Sequence, residues 1–451
     1  MAETTRKIDL PYSPGAVWEW LTRPGAAARL FPPRGFLSLP ASAPIVPAPL
    51  EEGTGLTLFR QGPWGSKPQR LRVRTEGNTR LVLEGIGAPA QGGTNQGWRL
   101  VYNLSASSEG CTLETTLVGV RGLAKGARLL EQQQAMLAAD LERHRPYGAR
   151  KPLRVLVSGA TGLVGRRLCP FLAVGGHTML RLARETSAGP AENLITWNPA
   201  QGTIDKARLE GLDAVIHLAG ANLADGRWNP ARKESIRASR VEGTALLSRT
   251  LAGLSRPPRV LLSASAVGVY GDTGDTLADE DSPPGKGFLA DVCRDWEAAL
   301  NPAEDAGIRV VRLRLGMVLA REGGALAKMI TPFRMGLGGP LGSGKQFLSW
   351  IALEDLLGVM LCALQEEGWR GPINAVAPLA LTQRDFARTL GQVLKRPAFA
   401  PLPAFVVRTL FGEMGQALLL EGQRTRPTRL EAAGFQWATP RLEQALCAEL
   451  S

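Results

Sequence analysis

Apolar and polar positions along this chain follow two different periods. Up to about residue 147, short stretches at 56–60, 71–74, 80–84, 98–102 and 111–117 alternate apolar with polar residues. Period two sends successive side chains to opposite faces, which predicts antiparallel strands with one dry and one wet face. Ahead of them, Ser13 and Pro14 followed by Val17, Trp18 and Leu21 read as a helix start, with Ser13 as cap and Pro14 in the first turn. A Pro-rich loop spans 32–49, and a long helical pattern runs over 129–143.

The pattern breaks between Tyr147 and Pro152, and a buried strand is expected from Leu153 to Ser158. Further strands are expected at 179–183, 214–219, 259–263 and 310–315, with helical segments between them. Such alternation predicts an α/β fold built on a doubly wound parallel sheet. With 451 residues, two or three units are expected, the first ending near 147 and the second opening at 153.

The first strand of the second unit runs straight into Gly159-Ala160-Thr161-Gly162-Leu163-Val164-Gly165 and then into a helix. Glycines at this spacing let the backbone turn tightly, approach a pyrophosphate and pack helix against strand, while helix N-terminal amides receive the negative charge. The next strand ends in Arg184, where NAD-binding chains place an acidic residue for the ribose 2′-hydroxyl. A guanidinium there suits a 2′-phosphate by charge and by bidentate geometry, so NADP(H) is favoured. Glu185, one place later, is the argument for NAD.

Composition narrows the class further. Hydrophobic residues make up 44% and charged residues 21%, an ordinary globular balance that excludes a disordered or fibrous chain. No apolar run is long enough to span a membrane and no signal segment is visible, so a cytoplasmic location is expected. Five scattered cysteines and three unclustered histidines argue against a disulfide framework, a metal centre or a Ser-His-Asp relay. The net charge of +12 is spread along the chain among acidic residues, so no nucleic-acid partner is expected, and some arginines are free to meet cofactor phosphates.

Several segments carry a family resemblance. They are the glycine loop, residues 217–221, 227–229, 236–240 and 263–271, the stretch 288–297 ending in Trp296-Glu297, the glycine-rich 332–344, Trp350-Ile351, and 374–378. Together they resemble the atypical extended short-chain dehydrogenase/reductases called epimerase family proteins, of the family 39U kind. The resemblance implies an NADP-binding Rossmann unit over 153–365 and a small C-terminal cap of unknown function over 366–451. It also implies cofactor contacts at Ala183, Arg184, Leu218, Ala219, Arg240 and Val318, beside the loop residues Gly159, Thr161, Gly162, Leu163, Val164 and Gly165. Residues 399–403, 410–414 and 418–423 read as apolar helices broken by Pro and Gly. The N-terminal pattern resembles an α+β helix-grip domain of the START-like or polyketide-cyclase-like (SRPBCC) kind, which implies a hydrophobic ligand for residues 1–147.

Reductases of this superfamily use a Tyr activated by a Lys four residues on, with a Ser or Thr orienting the substrate oxygen. Aligning the Glu that follows such a pair with Glu297 puts Leu289 and Cys293 at the two places, and neither moves a proton. Ser263, Ser265, Tyr270 and Lys286 are the polar residues left near the expected nicotinamide, and Ser265 and Tyr270 are the candidate catalytic residues. Three functions stay open: an oxidoreductase or epimerase acting on a small molecule with a rearranged acid/base apparatus, a catalytically idle NADP(H)-binding sensor or interaction protein, or a lipid or hydrophobic-metabolite carrier whose release the Rossmann part regulates.

Overall fold

The computed structural model describes residues 3–32, 37–40, 43–62, 65–86, 98–119, 123–184 and 193–450. They form two compact units, Met1–Leu153 with Arg166–Met179, and Arg154–Gly165 with Leu180–Ser451.

In the first unit, strands β1 (Glu3–Leu10), β2 (Leu37–Ser38), β3 (Gly55–Gly62), β4 (Gly65–Glu76), β5 (Arg80–Ile86), β6 (Arg99–Ser107) and β7 (Gly110–Val118) form one sheet. Its order is β1-β7-β6-β5-β4-β3-β2 and every pairing is antiparallel. Helices α1 (Pro14–Thr22), α2 (Ala26–Leu30) and α3 (Leu123–His144) accompany it. Ser13 caps α1 as expected, its Oγ accepting the Ala16 N–H at 3.2 Å. The alternation of β7 is complete, with Cys111, Leu113, Thr115 and Leu117 buried and the residues between them half-exposed. Strand β1 escapes the sequence pattern because it is an edge strand, mostly polar on both faces.

Trp20, Phe31, Leu58, Leu71, Val73, Leu83, Leu100, Tyr102 and Leu130 fill the core between sheet and helices. Within it, Arg29 of α2 and Asp140 of α3 form a bidentate ion pair at 2.8 and 2.6 Å, both side chains being almost wholly buried. Residues 166–174 of α4 (Gly165–Val174) also belong to this unit, and Val174 joins its core.

The second unit is built on β8 (Arg154–Ser158), β9 (Thr178–Arg184), β10 (Leu194–Asn198), β11 (Thr203–Ile204), β12 (Ala214–His217) and β13 (Val260–Ala266). After the short β14 (Leu277–Ala278), β15 (Arg309–Leu315) continues the sheet. Then come β16 (Met317–Leu319), β17 (Phe347–Leu348), β18 (Trp350–Ala352) and β19 (Gly371–Ala375), the last of them also in the main sheet. The sheet order is β11-β10-β9-β8-β12-β13-β15-β19, with parallel pairing at β9–β10, β8–β12, β12–β13, β13–β15 and β15–β19. From β8 the chain builds outward through β9 and β10, then returns to place β12 on the other side of β8. That reversal is the topological switch point where doubly wound sheets bind ligands beyond the strand ends. Strands β10 and β19 were not anticipated. One is polar at Thr196 and Asn198, and the other begins with Gly371-Pro372.

Helices α5 (Pro230–Ala252), α6 (Phe288–Ala298) and α7 (Asn301–Asp305) follow β12 and β13, and α8 (Gly324–Arg334), α9 (Leu353–Gln365) and α10 (Gln383–Leu394) follow β16, β18 and the short β20 (Leu381–Thr382). The C-terminal part carries α11 (Ala404–Gly415), a one-turn π-helix at Gln416–Leu420, β21 (Arg424–Thr425), α12 (Thr428–Ala432) and α13 (Leu442–Leu450). Residues 399–403 are extended, contrary to the helical expectation. Pro401 and Pro403 cannot continue a helical ladder, and the segment bonds instead to the glycine-rich loop, Ala400 N–H to Gly338 O at 3.1 Å and Leu402 N–H to Pro340 O at 2.9 Å. A Cβ on Gly339 would lie 2.0 Å from Ala400 O, so that glycine serves close backbone approach. Among the described residues no helix is long and apolar enough to cross a membrane.

Candidate functional site

Strand β8 ends at Ser158 and hands the chain to Gly159, whose φ of +69° an L side chain rarely adopts. A Cβ there would also sit 2.8 Å from Leu218 C and O, so only glycine lets this loop meet the loop after β12. A Cβ on Gly165 would lie 2.4 Å from Gly159 O and 2.6 Å from Ala160 Cα, closing the turn on itself. The Gly162 N–H bonds Gly159 O at 2.9 Å, so the loop is a tight turn ahead of α4. These are the clearances that a pyrophosphate-binding loop needs.

Ser158 and His217, which sequence reasoning passed over, tie the two loops together. The Ser158 Oγ accepts the N–H groups of Leu218 and Ala219 at 3.1 and 3.3 Å and lies 2.7 Å from His217 Nδ1. Burial pushes the His217 imidazole down to about 4, so it is neutral near pH 7. Nδ1 then accepts from the hydroxyl and Nε2 carries the proton, buried and without a hydrogen-bond partner among the described residues. The Trp197 ring stands edge-on to it, at 5.9 Å between centroids.

The other expected cofactor residues fall around this crossing. Ala183 and Arg184 end β9, paired in register with Thr196 and Trp197 of β10, and the Arg184 side chain is exposed. Glu185 lies outside the described residues. Arg240 of α5 donates to Ile236 O at 3.2 Å and Ala221 O at 3.0 Å, stacks over Trp296, and lies 3.5 Å from where a Gly220 Cβ would be. Leu163 meets Gly323 and Gly324, and Gly324 in turn approaches Val318 O.

Ser265 and Tyr270 belong to one buried polar network. The Ser265 hydroxyl donates to Glu297 Oε1 at 2.7 Å. Arg314 donates to both oxygens of Glu297 at 2.9 Å and to the Tyr270 hydroxyl at 2.9 Å, while that hydroxyl donates to Asn374 Oδ1 at 2.8 Å. Glu280 Oε1 accepts the N–H groups of Asn374 and Arg429. Burial raises the Tyr270 phenol and outweighs Arg314, which pulls the other way. Arg314, Asn374 and Glu280 had been missed. Three arginines share that strand, Arg309, Arg312 and Arg314, so charge alone did not mark Arg314 out in the sequence.

Leu289 and Cys293, at the Tyr and Lys places, face Gly268, whose added Cβ would lie 3.6 Å from Leu289 Cβ and 3.9 Å from Cys293 Sγ. Burial pushes the Cys293 thiol up to about 12, so it is a packed, protonated group. Ser263 is fully buried with its hydroxyl on Ala264 O, and Lys286 is exposed. Beyond α6, Trp228, Ile236 and Met414 form a buried apolar cluster joined by Leu223, Phe288, Leu289, Phe411 and Leu418.

A glycine loop interlocked with the next strand's exit, at the switch point of a parallel sheet, defines a dinucleotide-binding α/β protein. Residues 155–375 match the NAD dependent epimerase/dehydratase family and 402–449 match a domain of unknown function, DUF1731. The chain belongs to that epimerase family. The epimerase family protein Mb2239 of Mycobacterium bovis is 41% identical over 292 residues, 65% of this chain and 96% of the relative. The epimerase family protein SDR39U1 of Homo sapiens is 39% identical over 297 residues, 65% of this chain and 98% of the relative. Among solved structures, the nucleoside-diphosphate sugar epimerase from Corynebacterium glutamicum superposes with a TM-score of 0.80 at 32% identity, covering 100% of this chain and 90% of that one. Human SDR39U1 isoform 2, solved with NADPH, superposes with a TM-score of 0.61 at 38% identity, covering 66% of this chain and 99% of that one.

Proposed function

We propose that this chain is an NADP(H)-binding oxidoreductase or isomerase-like protein for a small-molecule substrate, working without the Tyr-x-x-x-Lys pair. The observation that carries the reading is a pair of close approaches, Gly159 to Leu218 and Ala219 and Gly165 back to Gly159 and Ala160, which a Cβ on either glycine would block. NADPH in the human relative's structure supports the same cofactor here. Backbone amides of the Gly159–Gly165 loop, including Thr161 and Val164, would hold the pyrophosphate with Gly162 keeping the turn tight beneath it, and Arg184 the 2′-phosphate. Leu163, Ala183, Leu218, Ala219, Arg240 and Val318 would line the rest. A bound nicotinamide supplies hydride exchange at its C4. Ser265 and Tyr270, engaged by Glu297, Arg314 and Asn374, would position that floor of the site rather than relay protons.

The apolar cluster around Trp228, Phe288, Leu289 and Met414 favours a substrate under the C-terminal part, 366–451. The commitment of both hydroxyls favours the alternative, an idle NADP(H)-binding sensor. NADPH oxidation against a broad carbonyl panel separates the two: turnover abolished by Ser265→Ala or Tyr270→Phe supports catalysis, and tight NADPH binding with no turnover supports the sensor. Arg184→Ala should weaken NADPH far more than NADH, and equal losses would refute the 2′-phosphate assignment.

For residues 1–147 we propose the START-like helix-grip class, on the strength of seven antiparallel strands packed against a 22-residue helix. Its described core side chains are filled in against one another, and native mass spectrometry of the intact chain would detect a copurified apolar ligand. A cytoplasmic location completes the proposal.

A further inference from the structure

We propose that α1, α2 and α3 tune cofactor affinity by holding, within the first unit, α4, the helix that the phosphate loop opens; this rests on the dinucleotide reading of that loop. Helix α4 reads Gly-Arg-Arg-Leu-Cys-Pro-Phe-Leu-Ala-Val. It is ten residues long and carries Pro170 in its interior, which removes one ladder bond and disfavours the helix. A helix this short is marginal without tertiary support. Its N-terminal amides can receive a pyrophosphate only while the first turn is in place.

The support comes from α1, α2 and α3, and the last four carbonyls of α4 show how. Two are satisfied locally, Leu172 O by the His177 N–H at 3.2 Å and Ala173 O by the Gly176 N–H at 2.9 Å. The other two are capped by side chains of the N-terminal segment. His144, the last residue of α3, puts Nε2 3.0 Å from Phe171 O, and Arg23, just after α1, donates from Nη1 to Val174 O at 3.1 Å. Burial holds the His144 imidazole down to about 3, so Nε2 reaches the carbonyl as the N–H of a neutral ring. Arg29, fixed by Asp140, places its guanidinium 5.4 Å from the Phe171 ring centre.

Two glycines make the approach possible, one from each side. Gly25 has φ +90°, and a Cβ there would lie 2.9 Å from Pro170 O; a Cβ on Gly175 would lie 2.2 Å from the His144 ring. Every one of these contacts is polar or size-restricted and fixes where α4 ends. The N-terminal segment thus supplies the C-terminal cap of the helix whose other end faces the cofactor phosphates.

The test uses the full chain. NADPH and NADH dissociation constants are measured calorimetrically for wild type, Arg23→Ala with His144→Phe, and Arg23→Lys, with amide exchange followed over residues 166–174. The double variant is expected to exchange α4 amides faster and to bind NADPH about fivefold or more weakly, with Arg23→Lys near wild type. Should the double variant lose its circular dichroism signal, Arg23→Ala alone replaces it, since that side chain is partly solvent-exposed. Faster α4 exchange with an unchanged dissociation constant would overturn the coupling, as would no change in either. A wild type that binds neither nucleotide would overturn the underlying loop reading instead.

Discussion

Removing Glu297 should destabilise the second unit more than any surface change. Its carboxylate accepts three hydrogen bonds, from Ser265 Oγ and from Nε and Nη2 of Arg314, and both partners of the ion pair are nearly buried. In Glu297→Ala the Arg314 guanidinium keeps Tyr270 and the Glu280 carbonyl as acceptors but loses its counter-charge. Breaking a buried pair from one side costs about 3–5 kcal/mol, because the remaining charge stays desolvated. For a unit of this size that is a drop of roughly 6–20 °C in Tm, at about 2–4 °C per kcal/mol. Differential scanning calorimetry at pH 7 reads it directly. The double variant Glu297→Leu with Arg314→Met, which removes both charges and refills the volume, should recover at least half of the loss. A single-variant loss below about 1 kcal/mol, the value of a surface pair, would refute the burial argument.

Three further outcomes follow from the geometry. Gly165→Val should abolish NADPH binding measured by calorimetry, because even its Cβ would overlap Gly159 O and Ala160 Cα; retained affinity would show that the loop does not cradle the phosphates. His217 is held at about 4 against an ordinary 6.5, so the unfolded chain takes up its proton first as pH falls. Stability therefore drops by about 3 kcal/mol between pH 6.5 and 4 on its account, and urea denaturation of His217→Asn should show a pH profile flatter by that amount. In the first unit, Asp140→Ala should cost about 3–5 kcal/mol by stranding Arg29, against little effect for Glu131→Ala, whose partner Arg6 is at the surface.

Much of the architecture was legible in the order of residues. Period-two alternation marked the strands from 55 to 118, Ser13 and Pro14 marked the start of α1, and the apolar run before Gly159 marked β8. Glycine positions spoke for themselves, since a residue without Cβ at that spacing implies a turn that something approaches. Elements without periodic contrast escaped: β1 is polar on both sides, β10 and β19 are short and interrupted, and 399–403 looked like a broken helix until its backbone was seen bonding the glycine-rich loop.

The candidate site divided in the same way. Sequence named Ser265 and Tyr270 from their place in the chain, and named Leu289 and Cys293 as the substitutes for the usual pair. Local chemistry carries that information, because a missing phenol or amine is missing in any fold. What each hydroxyl bonds to was decided only when β13, β15 and β19 lay side by side with α6 packed against them, bringing Glu297, Arg314 and Asn374 from separate parts of the chain onto them. The same holds for Ser158 meeting His217, and for Arg23 and His144 meeting the end of α4. Hydrogen bonds form between groups close in space, and sequence order constrains that closeness only through the packing that buries them.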